Sequence, residues 1–139
     1  MKSCSPYNKK IILLLVYMLL VVFLSAIPMD REIRGLQFII EMKPLIQSLM
    51  HVPFYAVLSI LWLQVLKMHQ ITGRKCLIMG FISAVGFGIL IEFIQIAVPG
   101  RYPSFIDMGL NTVGALVGLL LYLVIEKSGT GIVRRIVCD

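Results

Sequence analysis

Long apolar runs separated by short polar breaks predict four membrane-crossing helices. The first run, about residues 11–27, follows Lys9 and Lys10 and stops at Pro28. The second, about 45–66, opens after Pro44, a residue suited to a first helical position because no backbone donor is needed there. The third, about 76–98, and the fourth, about 105–125, are separated by PGRYPS at residues 99–104, a turn signal carried by two prolines and a glycine. A spanning helix takes about 20 predominantly apolar residues, so four of them with short connections use nearly the whole chain. The predicted fold is all-α, a four-helix transmembrane bundle forming one domain over residues 1–139.

Two stretches carry competing readings. The first run is either a span or a cleaved signal peptide: Ser25 and Ala26 are small, although they make no A-x-A site. Residues 29–43 place Ile33, Leu36 and Ile40 at helical spacing among balanced charges. That pattern suits a short helix lying in the membrane interface, or an ordered loop, since Gly35 weakens the helix. The connection KMHQITGRK, residues 67–75, is short enough to force an antiparallel return.

Composition changes the solvent, not the architecture. The chain is 59% hydrophobic and 14% charged, with a mean hydropathy of +0.95, where soluble domains carry about a quarter charged residues. Lipid is therefore the expected surrounding, and the bilayer the first partner. The net charge of +6 would suit nucleic acid only if the basic residues formed a patch interleaved with exposed aromatics. They instead flank the apolar runs: Lys2, Lys9 and Lys10 before the first, Lys67, Arg74 and Lys75 between the second and third, and Lys127, Arg134 and Arg135 in the tail. Basic residues near span ends mark the cytoplasmic side, so both termini are expected there, the first and third connections face outward, and no nucleic acid is expected. Cys4, Cys76 and Cys138 all fall on the cytoplasmic side, where thiols stay reduced, and their spacing matches no zinc or redox motif. Neither metal nor cofactor is expected.

The rare polar residues inside the runs carry the chemical signal. At a rise of about 1.5 Å per residue, His51 lies about 10 Å inside Pro44, Glu92 about 9 Å before Val98, and Asn111 about 9 Å into the fourth helix. One layer thus gathers polar groups from three helices. Phase agrees with depth. Gly88, Glu92, Gln95 and Pro99 share one helical stripe, Asp107, Asn111, Gly114 and Gly118 share another, and His51 and Tyr55 stand one turn apart with Ser48 below. A carboxylate in a bilayer needs pairing, hydration or protonation, which makes Glu92 a site candidate with His51 and Arg101 as the cations at hand. The plainer reading is that these groups only tie helices together, each contact contributing well under about 1 kcal/mol. Gly114-x-x-x-Gly118 similarly either closes the bundle internally or forms a dimer, and His69 reads as a solvated loop residue.

The order His51 then Tyr55, Glu92-x-x-Gln95, Pro99-Gly100-Arg101, Ser104, Asp107, and Asn111-x-x-Gly114 with Gly118 resembles the VanZ-like family of small membrane proteins, over residues from about 45 to 120. The chain departs from the family's pattern just ahead of the histidine, where Leu49 and Met50 replace the usual charged residue. The resemblance implies the cell membrane of a bacterium, a role in the cell envelope and, for the namesake, low-level resistance to the lipoglycopeptide teicoplanin. It implies no reaction.

Three functions follow from the residues. An outward-facing site of His51, Tyr55, Glu92, Gln95, Arg101, Ser104, Asp107 and Asn111 would bind or modify an outer-leaflet ligand such as a lipid-linked envelope precursor or a lipoglycopeptide. Arg101 would meet an anionic group, and Glu92 with Asp107 or His51 would serve as acid and base. Without nucleophile, phosphate-loop or metal motifs, whether the protein is an enzyme stays open. A non-enzymatic accessory component is the alternative. Proton-coupled transport is disfavoured, because the cytoplasmic halves of helices two to four carry almost no ionisable groups.

Overall fold

Proline and glycine set the limits of the helices as much as the apolar runs do. The computed structural model describes residues 6–28 and 43–128. Four helices follow one another: α1 Pro6–Ser25, α2 Pro44–Met68, α3 Gly73–Gln95 and α4 Phe105–Ser128. All four are long and apolar enough to cross a membrane, and the described residues contain no strand. The segment 29–42, where an interfacial helix or loop is expected, lies outside the described residues, as do Cys4 and Cys138.

Pro44 occupies the first turn of α2 as expected. The return between α2 and α3 is tight. Gln70 and Gly73 both take positive φ, 61° and 64°, and Ile71 N donates back to Leu66 O at 3.1 Å. Because the extended Thr72 and left-handed Gly73 complete the reversal there, α3 begins three residues before the expected Cys76 and ends at Gln95, short of Val98. Glu92 therefore sits in the last turn of α3, nearer the helix end than the depth estimate placed it. Gly100 turns the next connection with φ 74°, and Arg101 N closes it onto Val98 O at 3.1 Å.

Small residues decide how the helices meet, as they do where lipid removes the hydrophobic drive for helices to associate. The most extensive packing joins α2 and α4. A Cβ built on Gly114 would lie 2.5 Å from Val52 O, and one on Gly118 would collide with the Ala56 backbone. The glycine pair thus closes the bundle internally. On α3 the buried stripe is Cys76, Gly80, Ala84, Gly88, Glu92 and Gln95, with Leu63 of α2 seated against Gly80. The helix α1 is held more lightly. Leu14, Val21 and Ser25 turn inward while Leu15, Leu19 and Phe23 face outward, and Tyr17 Oη donates to Phe54 O of α2 at 3.0 Å.

Candidate functional site

The end of the bundle that carries the α3–α4 connection gathers most of its buried polar side chains. The stripe of α3 brings Gly88, then Glu92, then Gln95 to this end, and α4 faces it with Asn111 one turn above Gly114. Glu92 is fully buried, while Tyr55, Asn111 and Gln95 are 1%, 1% and 2% exposed. Gly88 makes the meeting possible. A Cβ there would stand 2.9 Å from Asn111 Nδ2 and 3.0 Å from Tyr55 Cε1, so a larger residue would push both side chains away from the α3 surface.

His51 of α2 is bonded to Asn111 of α4 at 2.7 Å through Nδ1 and Oδ1. An amide oxygen only accepts, so in this pair the imidazole donates through Nδ1. The imidazole lies parallel to the Tyr55 ring, with centroids 6.2 Å apart and an interplanar angle of 5°. That stack follows from their one-turn spacing on α2.

Glu92 finds its partner in the backbone rather than in a cation. Ser104 N donates to Glu92 Oε2 at 3.0 Å, and Asp107 N donates to Ser104 Oγ at 3.4 Å. Ser104 thus joins the end of α3 to the start of α4, as an N-terminal hydroxyl does for the first free amides of a helix. Neither His51 nor Arg101 makes an ion pair with Glu92 among the described residues, although Glu92 lies within electrostatic reach of both and of Asp107. Arg101 points elsewhere: Nε donates to Ile27 O at 3.3 Å and Nη2 to Leu24 O at 3.1 Å. It thereby supplies donors to carbonyls at the C-terminal end of α1, which a helix leaves unsatisfied. Burial lowers its pKa, and the nearby Asp107 and Glu92 oppose that change.

Several polar atoms here have no partner among the described residues: Tyr55 Oη, Glu92 Oε1, Asp107 Oδ1 and Asn111 Nδ2, all cut off from solvent. Leaving such an atom unsatisfied costs about 1–3 kcal/mol. Four such atoms stand at this end, and Ser59 Oγ and Trp62 Nε1 farther along α2 share the condition. Among the described residues, no group of three or more His, Cys, Asp or Glu side chains is arranged to hold a metal ion.

All eight expected site residues thus lie at one end, though with different roles. His51, Tyr55 and Asn111 form one contact set and Glu92, Ser104 and Asp107 a second within electrostatic reach of it, Gln95 is buried one turn beyond Glu92, and Arg101 fastens α1. The VanZ/LLP1 family model matches residues 10–126. The chain belongs to the VanZ/LLP1 family. As a VanZ/LLP1 protein with four apolar helices, it is a multi-pass membrane protein. No curated protein and no solved structure matches it.

Sequence reasoning alone did not single out Tyr17, whose hydroxyl ties α1 to α2 beside the site. The available signal was a phenol in mid-span, since a buried tyrosine hydroxyl usually seeks a partner. Outside the cluster, Lys67 bonds Glu126 and lies 5.4 Å from the centre of the Tyr122 ring. That pair links α2 and α4 at the opposite end.

Proposed function

We propose that this protein holds the polar head of an outer-leaflet or lipid-linked envelope ligand at the α3–α4 end of its bundle, in a bacterial cytoplasmic membrane, and that this binding underlies a contribution to lipoglycopeptide resistance. The observation carrying the reading is the set of buried, unpartnered atoms of Tyr55, Glu92, Asp107 and Asn111, drawn from three helices. Helix-tying contacts satisfy their own donors and acceptors, whereas these atoms keep hydrogen-bonding capacity for a ligand. Their place beside the bundle end lets a ligand present its head to the cluster while its apolar part stays in lipid.

The test is a near-isosteric change. Glu92→Gln keeps the shape and one acceptor for the Ser104 amide but removes the carboxylate. Teicoplanin susceptibility of cells carrying it is expected to match that of cells without the protein, at equal membrane abundance. Unchanged resistance would argue for a non-enzymatic accessory or structural role. That second reading draws on the His51–Asn111, Glu92–Ser104 and Arg101–α1 bonds, each of which ties separate segments together.

A further inference from the structure

The donors and acceptors at this bundle end are unequally divided, and the imbalance bears on the chemistry of the ligand. The guanidinium nearest the cluster, Arg101, has two of its N–H groups on the carbonyls of Leu24 and Ile27. Glu92 Oε2 is occupied by the Ser104 amide. Of the four buried atoms without a partner among the described residues, three are oxygens, and two of those belong to carboxyl groups. Tyr55 and Asp107 both lie within electrostatic reach of Glu92.

Charge points the same way. Two carboxyl groups, Glu92 and Asp107, stand within electrostatic reach of the single guanidinium of Arg101. In a poorly solvated place a carboxyl group is costly to hold ionised unless a cation neutralises it. A phosphate or sulfate would bring a further anion and further acceptors to a cluster whose unpartnered atoms are mostly oxygens. A quaternary ammonium would balance charge but bring no N–H, and Tyr55 already stacks one ring face on His51. A primary ammonium is compact and offers three donors and no acceptor.

We infer that the site takes a primary ammonium group, held by Glu92, Asp107 and Tyr55, with the Asn111 amide donating to an oxygen beside the amine on the same ligand. This rests on the binding role proposed above and narrows its chemistry. Tyr102 and Phe105, 85% and 90% exposed, flank the site from the connection and the start of α4. Aromatic side chains favour the membrane interface, which suits a ligand that presents its amine from the headgroup layer.

The chain has two histidines, His51 in the cluster and His69 in the α2–α3 connection, so nitrogen-15 histidine NMR reads the site with an internal control. The full-length protein in phosphatidylcholine nanodiscs would be titrated with dihexanoyl phosphatidylethanolamine, dihexanoyl phosphatidylglycerol, dihexanoyl phosphatidylcholine and free ethanolamine. The expected result is a saturable shift of His51, with His69 unmoved, for phosphatidylethanolamine but not for phosphatidylglycerol or phosphatidylcholine. Asp107→Asn should weaken it about tenfold, as loss of a charged hydrogen bond does. A matching response to free ethanolamine assigns the site to soluble amines, and a response to the lipid alone assigns it to headgroups; both support an ammonium site. An equal or larger shift with phosphatidylglycerol or phosphatidylcholine, or none with any probe, overturns the inference. The Glu92→Gln susceptibility test is independent of these spectra, so a resistance phenotype that requires Glu92 alongside a phosphatidylglycerol response would sink the ammonium assignment and leave the binding role standing.

Discussion

Gly114→Ala puts a methyl group where α2 and α4 are closest. The added Cβ would stand 2.5 Å from Val52 O, whereas ordinary contacts begin at 3.4 Å, so the helices must part by the difference, about 0.9 Å. Val52 adjoins His51, and Gly114 lies one turn from Asn111. The same displacement stretches the 2.7 Å His51–Asn111 bond to about 3.6 Å, beyond hydrogen-bond reach. Overpacking costs about 1–3 kcal/mol and the lost bond about 1 kcal/mol, against a gain in helix propensity of about 1 kcal/mol. The net expectation is a destabilisation of about 1–3 kcal/mol, read by thermal unfolding of the purified protein in mild detergent, together with a moved His51 signal. Gly86→Ala is the control. Nothing lies within 4 Å of a Cβ at Gly86, so that change should be neutral or stabilising. A Gly114→Ala protein that melts like the Gly86→Ala protein, with His51 undisturbed, would refute the packing argument.

Two further outcomes follow from contacts at the same end. Arg101→Ala removes the donors at Leu24 O and Ile27 O, so hydrogen exchange in the last turn of α1 should quicken about tenfold or more while the α2–α4 core keeps its protection; uniform exchange across all helices would contradict that role. In a background with Cys4 and Cys138 replaced by serine, Ser104→Cys should react with a membrane-impermeant thiol reagent on intact cells, as the charge distribution predicts, and labelling only after lysis would reverse the orientation.

The spans were legible because bilayer thickness, a single physical length, sets how many apolar residues a crossing needs. Helical phase was legible in part: Gly88, Glu92 and Gln95, and Asn111, Gly114 and Gly118, lie on the buried faces of their helices, whereas Pro99, placed on the first stripe, is exposed beyond the end of α3 and Asp107, placed on the second, is half-buried. What a sequence hides is the backbone. Glu92 is bonded by the amide of Ser104, and a survey of cationic side chains overlooks that donor. Arg101 looked like a free anion receptor until the carbonyls ending α1 supplied its partners. The start of α3 moved because Gly73 adopts a positive φ, which a run of apolar residues does not encode. The glycine pair of α4 was undecided between internal packing and a dimer, because the motif specifies a close approach without naming the surface approached; the backbone at Val52 and Ala56 fills that place.

Tyr55→Phe separates a site from mere helix glue. The change deletes one buried hydroxyl that has no partner among the described residues and leaves the ring stacked on His51. Removing an unsatisfied buried group should preserve stability or raise it by about 1 kcal/mol, while a group kept for a ligand is missed in function. Melting temperature and teicoplanin susceptibility measured on the same variant therefore give the most direct test. The expected result is an unchanged or higher melting temperature with resistance lost, and a lower melting temperature with resistance intact would contradict the account.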